Sequence, residues 1–419
     1  MTEPSTVRDA FATGLRPRWR ETFVAFRSPN YRLWFLGQLV SLLGTWMQIT
    51  AQSFLIFELT HSAIVLGYVG FASGLPSWLL MLYGGVVADR LQRRTLLIIT
   101  QSSMMVLAFV LAAITFTHLV QPWHILGLAF LLGVANAFDA PARLAFVPEL
   151  VPREHLTNAI AMNATMFNLA AASGPACAGL TYALLGPGWC FVINALSFIA
   201  VVVALSLMKL HPQPRRNTEG STFQKLSEGL RYVAHERVVL TLMLLVASTS
   251  LFAISFSTLV PAWTVNILHG DATVNGLLFS ARGIGSVIGA LYIASLGKSF
   301  SRGLTLCLAA FIFPILFIAF SFVRAIPLAL LLLMGVGVSM ILVLNLANAL
   351  IQTITPDFLR GRVMGVYSLI FFGMMPVGSL WTGYLAHRIG EPSAVVFNAL
   401  AMLLCAFLVW TTAPQVRSR

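Results

Sequence analysis

The segment GGVVADRLQRR, residues 84–94, separates two apolar runs, 63–87 and 95–117. Each run is long enough to cross a bilayer, which takes about 20 mostly apolar residues in a helix. One acid and three arginines crowded between two such runs do not belong in hydrocarbon, so the segment is a surface loop and the runs are antiparallel spans. The same alternation extends in both directions. Candidate spans cover 32–57, 63–87, 95–117, 123–144, 157–184, 189–208, 238–266, 273–296, 303–322, 326–350, 363–387 and 393–413. Composition agrees: 58% of the 419 residues are hydrophobic and 10% charged, with mean hydropathy +0.85. A soluble domain is about 45–50% apolar and about 25% charged. A disordered chain, a disulfide-rich secreted scaffold and a water-soluble enzyme are excluded on these figures.

The stretch 209–237 breaks the run of spans with Pro212, Pro214, Arg215, Arg216, Lys225, Arg231 and Arg237. It reads as a cytoplasmic linker with six spans on each side. The expected organisation is an N-terminal segment 1–31, a first six-helix bundle 32–208, the linker, a second bundle 238–413 and a tail 414–419. Arg16, Arg18, Arg20 and Arg27 interleave with Phe11, Trp19, Phe23 and Phe26 in the first segment. That pattern suits either a helix on the inner leaflet or a solvated tail; nothing there reads as a cleaved signal peptide. Of the 26 Lys and Arg, 23 fall in the tails, the linker and every second connection. Arg324 and Arg388 lie on the other side and Arg282 lies within a span. Positive connections stay in the cytoplasm, so both termini are placed there, in an inner membrane.

The net charge of +12 is scattered between apolar runs, with no basic arm, so no nucleic-acid partner is expected. The four cysteines lie in or beside spans without a CxxC pair and read as packing thiols. Histidines at 61, 118, 155, 211, 235, 269 and 387 fall mostly in loops without ligand spacing. No Walker loop, HExxH or nucleophile elbow occurs, so neither an enzyme, a cofactor nor a metal is expected.

An internal repeat near 200 residues supports the six-plus-six division. GVANAFDAPARLAFVPELVPREHL (133–156) corresponds to GVGVSMILVLNLANALIQTITPDFL (335–359), placing Pro152 opposite Pro356. SGPACAG (173–179) corresponds loosely to MPVGSLWTG (375–383). Two similar halves meeting in a bilayer place a binding cavity between them near the midplane.

The spacing G-x-x-x-D-R-x-x-R-R, carried by Gly85, Asp89, Arg90, Arg93 and Arg94, resembles the loop between spans two and three of the major facilitator superfamily. NAFDAPARLAFVPELVP, LTNAIAMNATMFNLAAASGPACAG and RGRVMG resemble its drug:proton antiporter branch, that of the enterobactin exporter and macrolide efflux proteins. The resemblance covers about residues 28–413. It implies an all-α integral membrane protein with twelve transmembrane helices in two pseudo-symmetric bundles. The activity implied is export of an amphipathic small molecule by alternating access, in exchange for protons, by a monomer in contact with membrane lipid. It also implies that Asp89 meets the start of span eleven and closes a cytoplasmic gate. The alternative reading makes the arginines a positive-inside anchor. The second-half loop, SLGKSFSRG, has Lys298 and Arg302 but no matching acid. Gly174 and Pro175 resemble the fifth-span helix-bend motif of antiporters, with Ala170 where a further glycine is expected; a packing kink is the plainer reading.

Asp139 is the one acid well inside a span. Such a carboxylate costs several kcal/mol unless paired or neutral. With Arg143 one turn on and Asn136 on the same face, it is either the proton-carrying group or half of a fixed ion pair. Arg282 is the sole mid-span base, on a face with Asn275, Ser286 and Gly289. It contacts either an acidic substrate or backbone carbonyls. Gln38, Ser41, Thr45, Gln48 and Gln52 form a polar stripe in span one, expected to line the cavity. Asn158, Thr165 and Asn168 align in span five, Ser248, Ser255 and Thr258 in span seven, and Asn345, Asn348 and Gln352 in span ten; these either line the cavity or bond between helices. Trp46, Phe138, Phe167 and Trp263 are candidates for stacking a flat substrate. An importer or lysolipid flippase on the same scaffold, or a non-transporting receptor, remains the alternative function.

Overall fold

The computed structural model describes residues 23–209, 222–295 and 301–417. Phe11, Arg16, Arg18, Trp19, Arg20, Pro212, Pro214, Arg215, Arg216 and Lys298 lie outside the described residues. Twelve long helical segments follow one another: α1 (Pro29–Thr60), α2 (Ala63–Arg90), α3 (Arg93–Phe116), α4 (Pro122–Phe146), α5 (Leu156–Leu185), α6 (Pro187–Leu207), α7 (Arg237–Ile267), α8 (Ala272–Ser295), α9 (Arg302–Phe322), α10 (Ile326–Ile354), α11 (Asp357–Ile389) and α12 (Glu391–Thr412). Among the described residues there is no strand. Eleven of these segments are long and apolar enough to cross a membrane. The exception is α5, which at 30 residues is long enough but carries Asn158, Asn163, Thr165, Asn168 and Ser173. It packs between α1 and α8, so protein rather than lipid covers much of it.

Local chemistry sets the helix boundaries. Proline stands at the first or second position of α1, α4, α6, α10 and α12, where its missing N–H would have no helical partner. Gly186 and Gly390, at φ +88° and +81°, make the tight turns α5–α6 and α11–α12. His61 and His269 adopt left-handed turns after α1 and α7, at φ 46° and 51°. Pro152 and Pro356 take nearly the same extended conformation ahead of α5 and α11. Corresponding residues of the two halves thus repeat the same turns.

The repeat extends to packing. A Cβ on Gly67 of α2 would meet the Ser379 carbonyl of α11, and one on Gly276 of α8 the Pro175 carbonyl of α5. Gly383 against Ala63 is matched by Gly179 against Ala272. Within each half, Gly174 faces the Leu43 carbonyl as Gly378 faces that of Leu251, and Gly133 faces that of Ser73 as Gly337 faces that of Arg282. Small residues let helices approach to backbone contact, the main source of helix adhesion in lipid.

One end of the bundle carries Arg90, Arg93, Arg94, Arg143, Arg360, Arg362 and Arg417, here termed the basic end. The cross-half contacts between α2 and α11, and between α5 and α8, lie toward the opposite end. Hydrophobic clusters follow the same division. At the basic end one cluster holds Tyr31, Trp34, Leu97, Phe146 and Leu205, and another Val239, Leu242, Leu306, Val363 and Val416, neither crossing between halves. At the opposite end Ala262 and Ala272 join Phe54, Phe57 and Tyr182, and Ala63 joins Phe256 and Trp263. The halves are therefore sealed at one end and parted at the other.

The linker contains a helix, Thr222–His235, that was not foreseen from its charge and prolines. Leu226, Tyr232 and Val233 pack on the second half, Gly229 lies against the Arg362 backbone, and Glu228 pairs with Arg362. The segment α7 is also irregular: it is π-helical over Thr249–Ala253 and Trp263–Ile267, with a 3-10 stretch Ile254–Leu259 between. Pro261 lacks the N–H that would bond the Ser257 carbonyl, which favours the departure from α geometry.

The seal yields a direct expectation. In Gly276→Leu the new Cβ would fall 2.3 Å from the Pro175 carbonyl oxygen, forcing α5 and α8 apart. A cysteine replacing Ala272, in a background without the four native cysteines, should then react severalfold faster with a maleimide in detergent. An unchanged rate would show that this contact does not hold the seal.

Candidate functional site

At mid-depth of α8 the Arg282 guanidinium reaches across to α7, where Nη1 donates to Ser257 Oγ at 2.8 Å. Its carbon lies 5.7 Å from the Phe279 ring centroid, within cation–π range. The sequence offered an acidic ligand or backbone carbonyls as its partner; within the protein the hydrogen-bond partner is a hydroxyl. The expected shared face divides. Ser286 donates to the Arg282 carbonyl, Gly289 packs on Val338 and Ile341 of α10, and Asn275 is 1% exposed with neither amide atom bonded to protein.

The basic loop is pinned within its own half. Arg93 Nη1 bonds Glu149 Oε1 at 2.6 Å and the Ala145 carbonyl at 3.0 Å, tying the start of α3 to the end of α4. Arg94 bonds the Ser206 carbonyl at the end of α6. Asp89 lies 3.8 Å from Arg93 Nη2, and Arg90 is exposed. The expected meeting of Asp89 with the start of α11 is not made in this conformation. There Asp357 pairs with Arg360, and Arg362 with Glu228 of the linker helix. The reason is the parting of the halves at this end.

Asp139 is 1% exposed and faces α3. Thr100 Oγ1 donates to its Oδ1 at 2.9 Å and Gln101 Nε2 at 2.8 Å, while Arg143 Nη2 lies 3.5 Å from Oδ2. Asn136 is not among these partners; it is half-buried. A carboxylate so surrounded supports its charge by three donors and fastens α3 to α4. Of the two sequence readings, this geometry matches the fixed ion pair. Thr100 and Gln101 were missed because they lie in another span, where nothing in their own surroundings marks them as partners of an acid.

The polar stripe of α1 is bonded in part to a neighbouring helix. Asn194 Nδ2 of α6 donates to Gln48 Oε1 at 2.6 Å, and Gln48 Nε2 to Gln52 Oε1 at 3.5 Å. The Gly44 Cα abuts Asn194 and Ser197 of α6, Thr45 bonds the Ser41 carbonyl, and Gln38 and Ser41 are each 1% exposed. Through Gln48 the stripe is tied to α6, while Gln38 Oε1 has no hydrogen-bond partner. Asn398 of α12 forms the counterpart, donating to Thr382 Oγ1 at 3.0 Å and accepting from Trp381, while Ser255 of α7 lies 3.0 Å from Thr382. Thr258 bonds Ser379, and Ser248 turns to the Leu245 carbonyl. Trp263 is fully buried and stacked on Phe320 at 4.7 Å, so it is core rather than a stacking platform. Phe138 pairs with Tyr83, and Trp46 with Phe167 at 5.8 Å.

Several of the remaining polar candidates are partly or fully exposed. Asn168 is half-buried beside Phe167, Asn345 is exposed, and Asn348 accepts from Gln352 Nε2 at 2.5 Å. Gly174 lies on Trp46 and the Leu43 carbonyl of α1, so the Gly174–Pro175 motif is a contact point between α5 and both α1 and α8. At the opposite end a cavity of about 500 Å³ opens between α1, α5, α7 and α8. Glu58, His61, Tyr182 and Asp271 line it, and the Tyr182 hydroxyl donates to Glu58. Among the described residues no cluster of three His, Cys, Asp or Glu is arranged to hold a metal.

Residues 20–418 match the model of a family described as transmembrane secretion effector. The staphyloferrin A transporter of Staphylococcus aureus is 25% identical over 362 residues, covering 86% of this chain and 90% of that protein. The multidrug efflux pump Tap of Mycolicibacterium fortuitum is 29% identical over 373 residues, covering 86% and 90%. Macrolide efflux protein A of Streptococcus pyogenes is 22% identical over 401 residues, covering 92% and 96%. A bacterial homologue of the human lysosomal transporter Spinster, solved inward-facing and unoccupied, superposes with TM-score 0.74 at 14% identity over 94% of this chain and 98% of that one. The nucleoside transporter NupG gives 0.70 at 12% identity over 91% and 98%. At such identities the solved structures speak for the fold alone.

Replacing Asp139 by alanine would strand the buried Gln101 amide, leave Thr100 only the Leu97 carbonyl, and leave Arg143 unpaired. Losing a buried partner costs about 1–3 kcal/mol. Asp139→Ala should therefore lower the unfolding midpoint in detergent well below that of Asp139→Asn, which keeps an acceptor for Thr100 and Gln101. Equal midpoints for the two variants and the parent would remove the clasp between α3 and α4.

Proposed function

The chain belongs to the transmembrane secretion effector family of major facilitator transporters, and from that premise we propose that it exports amphipathic small molecules by alternating access in exchange for protons. A multi-pass transporter of this family is not an enzyme. The observation that carries the proposal is the asymmetric closure: backbone contacts at Gly67, Gly179, Gly276 and Gly383 join the halves toward one end, while the hydrophobic clusters at the basic end stay within each half. This is one conformer of a two-state cycle. With the basic end in the cytoplasm by the distribution of Lys and Arg, both termini are cytoplasmic and the conformer is inward-open.

In this reading Asn136, Asn168, Arg282, Asn345 and Asn348 belong to the cleft between the halves, since polar groups do not favourably face lipid. The relatives suggest the cargo: a siderophore, structurally varied drugs, or a macrolide. Moving one proton charge through 100 mV supplies about 2.3 kcal/mol, or roughly fifty-fold accumulation. A single proton with a modest pH difference is an adequate drive. Asp139, saturated by Thr100, Gln101 and Arg143, acts in this account as a fixed pair rather than as the proton carrier.

Closure of the cytoplasmic side would bring the end of α2 to the start of α11. Asp89 would then face the N-terminus of α11, where an anion gains about 0.3–1 kcal/mol. Arg362 would keep its tie to Glu228, so the linker helix travels with the second half. The Asp89–Arg93 pair of the open state is the contact that Asp89 exchanges for the latch.

Two measurements follow. Proteoliposomes with an imposed pH gradient, given a panel of macrolides and siderophores, should show substrate-dependent proton flux for at least one compound. No flux and no uphill accumulation for any of them would argue for a receptor or scaffold. Asp89→Ala should shift the distance distribution of a spin-label pair across the cytoplasmic end toward longer values; an unaltered distribution would argue against the latch.

A further inference from the structure

The segments α5, α7, α8 and α10, which surround Arg282, contain no Asp or Glu at all. Asp271 precedes α8 at the opposite end, where it accepts from the Val274 amide, and Glu58 ends α1 beside Tyr182 at that same end. The acids of α4 and α11 are committed elsewhere, Asp139 to α3 and Arg143, and Asp357 to Arg360. Arg282 thus holds a full positive charge at mid-depth with one hydroxyl and one ring face against it. Such a charge is expensive in a membrane unless it pairs or meets water. Among the described residues there is no counter-charge beside it, and the Ser257 oxygen uses one of five N–H donors of the guanidinium.

The surroundings are built to leave the other donors available. Gly337 packs beneath the Arg282 carbonyl and Gly283 against Ala171 and Ala172 of α5, which locks the α8 backbone from two sides. Facing it, α7 is broken into π and 3-10 turns around Ser257. Interrupted helices near the midplane, at the interface of two repeats, are where transporters place ligand sites. The internal repeat sharpens the point: through the matched glycines Gly133 and Gly337, Arg282 corresponds to Ser73 of the first half. The symmetric scaffold carries a charge on one side only, so the charge is not a demand of the fold.

We propose that Arg282, oriented by Ser257, is the anchor for an anionic group, most simply a carboxylate, on the exported molecule. The proposal rests on the exporter reading and narrows its cargo to amphipathic anions. A planar guanidinium takes a carboxylate by two parallel hydrogen bonds, which gives geometry as well as charge selection. Among the described residues only Ser257 accepts from the guanidinium, and in the proposed cycle its remaining donors are hydrated while the cleft is open to water. Binding replaces that water with a fixed anion and removes the penalty of the unpaired charge when the cleft closes. Closure with the site empty then costs more than closure with the anion bound, which couples occupancy to the conformational change.

The test uses the full-length protein in detergent with phosphatidylcholine, and a pair of probes alike except in charge: 4-phenylbutyrate and 4-phenylbutanamide. The carboxylate should raise the unfolding midpoint by a few degrees at concentrations where the amide has no effect. Arg282→Gln should abolish that difference, Arg282→Lys should keep part of it, and Ser257→Ala should weaken it. Equal response to both probes, or a carboxylate effect that survives in Arg282→Gln, would overturn the proposal. Should Arg282→Gln fail to fold, the Ser257→Ala and Arg282→Lys series decides: an undiminished carboxylate effect in both contradicts it. Suppression of the carboxylate effect by phosphatidylglycerol would assign the site to a lipid headgroup and equally overturn it. Carboxylate binding through Arg282 without any proton-coupled transport would leave this site standing and remove the exporter reading.

Discussion

Backbone-to-backbone contact at glycine is the constraint on which the rest of this structure depends. In lipid the hydrophobic effect does not draw one apolar helix to another, so adhesion comes from close packing and from hydrogen bonds. The two halves touch where Gly67, Gly179, Gly276 and Gly383 let a carbonyl of the partner helix lie where a Cβ would be. Because these contacts come in repeat-related pairs, α2 with α11 and α5 with α8, the seal has an approximate two-fold axis and can act as a pivot. The strong side-chain clasps stay within a half: Gln48 with Asn194, Asn398 with Thr382, Asp139 with Thr100, Gln101 and Arg143, and Arg93 with Glu149. Rigid halves joined by weak, shape-based contacts are what a rocking motion needs.

The fold was largely legible from the chain because its two strongest signals, span-length apolar runs and the side bias of Lys and Arg, are read along one dimension. The repeat was legible for the same reason, and Pro152 and Pro356 do take equivalent places ahead of α5 and α11. The site was less legible. A polar stripe on one helix says that something polar faces it, not whether that is water or another helix. For α1 the answer was Asn194 on α6, which carries no mark in its own segment. Trp263 looked like a platform and is core, because an aromatic in a span has the same local sequence whether it packs or projects. The helix Thr222–His235 was hidden by the charge of the linker, although Leu226, Gly229 and Val233 fall on one face.

Arg282 was the residue whose oddity was visible at once, and its environment explains why. Sequence alone shows that no acid lies in α5, α7, α8 or α10; the structure adds that these are the segments around it and that a serine on a broken helix holds one donor. The unmatched charge sits beside the irregular α7, whose Ser257 holds it. Under the proposal made above, a permanent positive charge there is tolerated because water meets it in the open state and an anion in the closed one.

The account stands on that cleft never being open at both ends together. The most direct measurement places a cysteine at Asn168, near the middle of α5, in a background free of native cysteines. A membrane-impermeant maleimide is then applied from each side, using right-side-out and inside-out vesicles, with and without a transported compound. Alternating access predicts that any condition raising the rate from outside lowers the rate from the cytoplasmic side. Rates that rise together on both sides would contradict it.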